Sequence, residues 1–121
     1  MTYDSVKEVK SAKAPGVRFR IARMSFARRV ELMRQVRELA RRMEFLEAAQ
    51  EPGDKMEAGL VQAEIDRLYV KWGLLEVIGL EVDGVTATPT LLIEVAPEEL
   101  FREALAAIQT ESGLSAAERK N

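Results

Sequence analysis

The chain of 121 residues contains no cysteine and no histidine. Without cysteine it can form no disulfide, no thiolate nucleophile and no zinc–thiolate site. Without histidine it lacks the commonest general base and the commonest metal ligand. It also has no glycine-rich phosphate loop and no GxSxG turn. These absences remove most hydrolase and metalloenzyme chemistries, so the sequence predicts a non-enzymatic protein with no cofactor and no metal.

Two acidic motifs remain as candidates for chemistry, and each has a structural interpretation. Glu98 and Glu99 are neighbours, but they follow Pro97 where a helix would begin, and the helix dipole favours acids in a first turn. Asp83-Gly84 lacks the alternating oxygen ligands of a calcium loop and is typical of a tight hairpin turn. Both motifs are therefore interpreted as structural.

Long apolar runs are also missing from the sequence. A membrane span needs about twenty consecutive apolar residues, and the chain has no run near that length. The first fifteen residues carry charges and no apolar stretch, unlike a secretory signal. We therefore expect a cytoplasmic protein without a membrane-spanning segment.

What the chain does have is 47% apolar and 31% charged residues, which is typical of a folded domain. Its length favours a single domain of the usual size. We predict a mobile N-terminal arm over residues 1–15, possessing at most a short strand. One globular domain would follow over residues 16–114, with a C-terminal tail over residues 115–121.

The net charge of −2 is unevenly distributed along the chain. Residues 1–50 hold twelve Lys or Arg and six Asp or Glu, a net charge of +6. Residues 51–121 hold six and fourteen, a net charge of −8. This division is consistent with steering a partner, with neutralisation inside the molecule, or with head-to-tail stacking of copies.

The first half predicts a strand and a long helix. Apolar residues alternate with arginine or alanine over residues 16–23, the period of a half-buried strand. Ser25 is a suitable N-cap for a helix from Phe26 to about Ala49. Its apolar seam has spacings of 4, 3, 4 and 3 and consists of Leu32, Val36, Leu39, Met43 and Leu46. A second apolar stripe, which predicts a second buried side, consists of Phe26, Val30 and Met33.

A second helix follows the breaker Glu51-Pro52-Gly53. Asp54 and Glu57 have the spacing of a capping box, and Gly73 would end the helix. Gly59 lies inside it, where only close packing would explain a glycine. The matching seam consists of Val61, Ile65, Leu68, Trp72 and Leu75. Two matched seams joined by a short loop predict an antiparallel helical hairpin.

The remaining sequence predicts a strand over residues 75–82, an Asp83-Gly84 turn and a return strand over 85–87. Thr88-Pro89 begins a short helix to about Val95, and Pro97 opens another that ends at Gly113. Residues 115–118 form one more capping box. The fold class is α+β and mainly α, with a long antiparallel helical hairpin, a small strand layer and C-terminal helices.

Arginine is concentrated between residues 18 and 42. The cluster consists of Arg18, Arg20, Arg23, Arg28, Arg29, Arg34, Arg37, Arg41 and Arg42. Arg34, Arg37 and Arg41 have helical spacing and share one face. Such a face can be solvated or internally paired, can bind a protein, or can track nucleic-acid phosphates. Trp72 is interpreted as a core residue, with a partner-facing anchor as the alternative.

The stretch from Trp72 to Leu100 carries a resemblance. A tryptophan-glycine pair at a helix end precedes Gly79-Leu80-Glu81-Val82-Asp83-Gly84, then Thr88-Pro89-Thr90, then Pro97-Glu98-Glu99-Leu100. This pattern resembles the tail assembly chaperones of long-tailed bacteriophages, over about residues 60–112. The arginine-rich strand and helix at residues 17–42 have no counterpart in that family.

The resemblance implies a non-enzymatic protein of a phage or prophage, located in the host cytoplasm. It implies partners, namely the helical tape-measure protein and tail-tube subunits. The resemblance supplies no contact residues; those expected from the apolar stripe, the arginine face and the alternative role of Trp72 are Phe26, Val30, Met33, Arg34, Arg37, Arg41 and Trp72. Two alternatives stay open: an arginine-rich regulator that binds nucleic acid, and a structural subunit that assembles with copies of itself.

Overall fold

The computed structural model describes residues 1–49 and 51–113, and these form an α+β structure that is mostly helical. The chain divides into two compact units. The sheet unit comprises Met1–Met24 and Tyr69–Gly113, and the hairpin unit comprises the described residues of Ser25–Leu68. The predicted fold class is confirmed. The predicted limits of the arm, the single domain and the tail stay predictions.

The sheet unit is built on three antiparallel strands in the order β1 (Val6–Lys10), β2 (Arg18–Ala22) and β3 (Leu74–Ile78). The alternation predicted for β2 is confirmed, because Phe19 and Ile21 are completely buried. The short strand allowed for in the N-terminal arm is β1, which pairs with β2 along its whole length.

The prediction of one strand over residues 75–82 is wrong, because the chain turns at Gly79. This glycine has a φ of 81°, and a Cβ there would overlap the carbonyl oxygen of Gly16. A separate hairpin of β4 (Glu81–Val82) and β5 (Val85–Thr86) follows. Its turn residues both have positive φ, 51° at Asp83 and 79° at Gly84, so the Asp-Gly turn is confirmed.

Two helices complete the sheet unit, α3 (Pro89–Glu94) and α4 (Glu98–Ser112). The Thr88 hydroxyl caps α3 by accepting from the backbone N–H of Leu91, and Gly113 ends α4 in the left-handed conformation. Helix α3 contacts β3, and α4 contacts both α3 and β2. The capping box predicted at 115–118 lies outside the described residues.

One carboxylate fastens the turn between β1 and β2 to α4. Glu103 accepts hydrogen bonds from the Ser11 hydroxyl at 2.5 Å and from the backbone N–H of Ala12 at 2.6 Å. The N–H of Lys13 is a third donor, at 3.4 Å. Hydrogen bonds to an ionised carboxylate are stronger than neutral ones, so Glu103 holds the turn in place.

The hairpin unit consists of α1 (Phe26–Ala48) and the first part of α2 (Pro52–Gly73), which run antiparallel. The Ser25 hydroxyl accepts from the backbone N–H of Arg28, which confirms the predicted N-cap. The loop end of the hairpin is bridged by an ion pair of 2.6 Å between Arg42 and Glu57. Helix α2 ends at Gly73, as predicted.

Four details of the predicted hairpin are wrong, and one of them is the seam position of Leu68, which is only half-buried. Asp54 is not an N-cap, because α2 already begins at Pro52, whose fixed φ suits a first helical position. In α1 the buried seam passes through Ala40, and Leu39 is only half-buried. Its spacings of 4, 4, 3 and 3 cover the same fourteen residues as the predicted seam, so the average period stays at that of a heptad. Leu75 lies in β3 and is exposed.

The buried residues differ between the two units. In the hairpin unit they include Leu32, Val36, Ala40, Met43, Leu46, Val61 and Ile65. In the sheet unit they include Phe19, Ile21, Tyr69, Val70, Trp72, Leu92, Leu100 and Ile108. Within the described residues, none of the helices combines the length and the apolar character that crossing a membrane requires.

Candidate functional site

The second apolar stripe of α1 faces solvent. Phe26 is 85% exposed, and Val30 and Met33 are each 39% exposed. The prediction of a second buried side is therefore wrong. At about 100° per residue, Val30 lies roughly 140° from the midpoint of the buried Leu32 and Val36, whereas Phe26 and Met33 lie about 100° and 80° from it, on the flank of the buried side. Phe26 contributes little to the core, and the exposed parts of Val30 and Met33 extend the apolar surface that is available for contact.

Arginines share this side of the helix with the stripe. Val30, Met33, Arg34, Arg37 and Arg41 line one shallow depression of about 310 Å³. Phe26 lies one helical turn before Val30 and extends the apolar part. We call these six residues the α1 outer face. Its apolar members occupy the first two turns of α1 and its arginines the next two.

The three arginines of the α1 outer face differ in their partners. The Arg41 guanidinium lies 3.6 Å from the Glu38 carboxylate, an exposed pair along the helix. Within residues 1–49 and 51–113, no carboxylate forms an ion pair with Arg34 or Arg37. These two guanidinium groups keep their planar arrays of donors available for an incoming acceptor.

Several other arginines of the cluster are occupied within the molecule. Arg18 pairs with Glu8 at 3.3 Å, and Arg20 approaches Glu76 to 3.9 Å across the sheet. Arg23 lies 6.0 Å from the centre of the Tyr3 ring. The ion pairs of Arg18, Arg20 and Arg42 neutralise part of the basic cluster internally, whereas the uncharged Tyr3 ring leaves the charge of Arg23 in place.

Trp72 does not belong to the α1 outer face. It lies in the sheet unit and is only 7% exposed. A partner cannot reach a side chain that is covered by its own chain without rearranging that unit. The partner-facing interpretation of Trp72 is therefore corrected, and its burial fits the core interpretation.

The acidic candidates occupy ordinary structural positions. Glu98 and Glu99 lie in the first turn of α4, and Glu98 pairs with Arg102 at 3.4 Å on the surface. Asp83 forms the hairpin turn. In the described part of the chain, no group of three or more acidic residues is placed to hold a metal ion. These acids are arranged as surface and turn residues.

A larger depression of about 520 Å³ lies in the sheet unit, along the N-terminal residues. Its lining consists of Tyr3, Asp4, Ser5, Val6, Glu8 and Arg20. It is open and mostly polar, and its cation Arg20 faces Glu76. Size alone does not make it a binding site, because ligand pockets are lined mainly by apolar side chains and this lining is mainly polar.

The sequence interpretation missed a second exposed apolar group in the hairpin unit. It consists of Phe45, Met56 and Leu60. Met56 and Leu60 are four residues apart on α2, so they share a face that the seam of that helix does not use. The spacing of four residues between Met56 and Leu60 was the sequence signal that could have predicted this second apolar face. Among the described residues, Arg34, Arg37 and Arg41 line a depression together with apolar residues of the α1 outer face.

The chain matches no protein-family model, no curated protein and no solved structure. The resemblance to tail assembly chaperones therefore stays a prediction.

Proposed function

We propose that the chain is a non-enzymatic assembly chaperone or adaptor of the phage-tail type. It binds an amphipathic helix of a tape-measure or tail-tube protein on the α1 outer face. The observation that carries this proposal is the exposed apolar stripe, above all Phe26, on a helix whose core-facing side is already packed. Grooves and faces of this kind bind partner helices through apolar residues at helical spacing.

The favourable free energy of binding would come from burying the apolar area of the stripe. Phe26, Val30 and Met33 lose water-exposed apolar area when a partner helix covers them. Aromatic and methionine side chains are enriched at the centres of such interfaces. Because Phe26 is 85% exposed and Val30 and Met33 are each 39% exposed, we expect substitutions in the stripe to destabilise the hairpin unit less than substitutions in its buried seam.

The test is a pull-down with the tagged full chain and two matched variants, Met33→Glu and Met56→Glu. Both replace an exposed methionine of the hairpin unit by glutamate, but Met56 lies outside the α1 outer face. We expect the wild type and Met56→Glu to retain a long helical protein or tail-tube subunit identified by mass spectrometry. Met33→Glu should lose it and keep the helix content seen by circular dichroism.

Two results would contradict the proposal. If Met33→Glu unfolds the chain, the stripe belongs to the core. If Met33→Glu captures the partner as well as Met56→Glu does, binding uses another surface.

The second candidate is a regulator that binds nucleic acid. It is favoured by Arg34 and Arg37, because no carboxylate of the described residues forms an ion pair with either guanidinium group. This candidate predicts that the same eluate absorbs at 260 nm. The absorbance should be lost as the salt concentration is raised, because binding to phosphates releases counterions and is weakened by added salt. An eluate with salt-sensitive nucleic acid and without a protein partner would replace the chaperone proposal by this one.

A further inference from the structure

We infer that the α1 outer face selects a partner helix by charge as well as by apolar contact. This inference rests on the proposed function. The preferred partner is an amphipathic helix of another protein. Its contact face carries apolar residues in one half and Asp or Glu in the other. The α1 outer face itself has this two-part order, with apolar residues at 26–33 and arginines at 34–41.

The arginine half is suited to carboxylates. Arg34 and Arg37 are exposed and have no ion pair with any described carboxylate, and Arg41 has one exposed partner at 3.6 Å. An arginine fork binds a carboxylate through two parallel hydrogen bonds. Charges at such a rim mainly set the partner choice and the association rate. Glutamates along one side of a partner helix repeat every three or four residues, the spacing of these arginines.

The apolar half argues for a helix rather than for a nucleic acid. Phe26, Val30 and Met33 are spaced by four and three residues, so they form one continuous row. A phosphate backbone would leave this row uncovered. A partner helix of about sixteen residues would cover both halves, since α1 rises about 1.5 Å per residue.

A two-fold symmetric contact between two copies of the chain fits the α1 outer face poorly. In a two-fold symmetric contact the same surface meets itself. If the two helices are parallel, arginine opposes arginine, and like charges in contact repel. If they are antiparallel about the centre of the face, the apolar row of each copy opposes the arginines of the other. An acidic partner avoids both mismatches.

The probes are three synthetic helical peptides of about twenty residues, long enough to retain some helix in water. The first has leucines over two turns of one face and glutamates over the next two. The second has lysines in place of the glutamates, and the third has serines in place of the leucines. Binding to the full chain is followed by fluorescence anisotropy at low and high salt.

We expect the leucine–glutamate peptide to bind at least about tenfold more tightly than either other peptide, and more weakly in high salt. The double variant Arg34→Glu, Arg37→Glu should reverse the preference between glutamate and lysine peptides. The control is the double variant Lys55→Glu, Lys71→Glu, which changes the net charge equally at exposed positions on α2. It should bind like the wild type.

Three results would overturn the inference. Equal affinity for the glutamate and lysine peptides would remove the charge selection. A labelled single-stranded oligonucleotide that displaces the glutamate peptide, and loses binding in the arginine variant only, would assign the arginines to nucleic acid. A dimer of the chain alone, dissociated by Met33→Glu in sedimentation analysis, would assign the face to a second copy.

The pull-down tests the proposed function separately from the peptide-binding experiment. If the partner is lost with Met33→Glu but retained by Arg34→Glu, Arg37→Glu, the helix-binding function stands and the charge selection fails. If Met33→Glu retains the partner, the proposed function itself fails.

Discussion

At the scale of single residues, two glycines that each precede a leucine have opposite roles. Gly59 lies inside α2, is exposed, and has open space where a side chain would be. Close packing was the only explanation that the sequence offered for it, and that explanation is wrong. Gly79, in contrast, has a positive φ and leaves no room for a Cβ beside the Gly16 carbonyl.

The two glycines should therefore respond oppositely to alanine. Gly59→Ala should raise the free energy of unfolding by about 0.5–1 kcal/mol, because alanine restricts the unfolded chain and favours helix. Gly79→Ala should lower the free energy of unfolding by more than about 1 kcal/mol, through backbone strain and a steric clash. Urea unfolding monitored by circular dichroism measures both values.

Each variant serves as the control for the other, since both add one methyl group. A destabilised Gly59→Ala would mean that something covers this position of α2. An unaffected Gly79→Ala would mean that the turn after β3 relaxes away from Gly16.

At the scale of elements, Glu103 provides a polar link between α4 and the β1–β2 turn. It joins one carboxylate to three donors in successive residues, Ser11, Ala12 and Lys13. Glu111 of the same helix makes a simpler contact, a single ion pair of 3.6 Å with Lys7. The two glutamates form a matched pair for a test.

Glu103→Gln should lower the free energy of unfolding by about 1–2 kcal/mol, because an amide has one acceptor oxygen where the carboxylate has two and carries no charge. Amide exchange at Ala12, measured by NMR, should become faster. Glu111→Gln should change stability by less than about 1 kcal/mol, as is usual for exposed ion pairs. Equal effects of the two substitutions would contradict the role given to Glu103.

Helix ends were predictable at this scale because the signals are local. Ser25, Thr88 and Gly113 each define a terminus within a few residues of sequence, and the structure confirms all three. The exposure of Phe26, Val30 and Met33 was not predictable. An apolar stripe shows that a surface favours burial, and whether another part of the chain covers it depends on tertiary structure.

At the scale of the whole molecule, the sequence predicted the elements better than their pairing. Strand β2 was evident from its alternation, but its partner β3 lies beyond the whole hairpin unit in sequence. Non-local pairing of this kind leaves no local signal. The break at Gly79 was also hidden, because the close approach to Gly16 exists only after the sheet has formed.

The charge division between the two halves of the chain gives a test of self-assembly. Part of the basic cluster is paired internally, through Glu8, Glu76 and Glu57. We therefore expect light scattering to give the mass of one chain, 13.6 kDa, at both low and high salt. A larger mass at low salt that falls as salt is raised would instead support head-to-tail stacking of copies.

The pairing of β2 with β3 has a consequence for how this chain can vary. Ile21 and Leu74 are neighbours in the sheet, so the hairpin unit is an insertion between two adjacent strands. Closing a longer insertion is inexpensive, about 0.6 kcal/mol per doubling of its length. Evolution can add or remove matched blocks of about seven residues in both helices without altering the strand register. We expect related chains to differ in length between Met24 and Tyr69, and to conserve the length of the sheet unit.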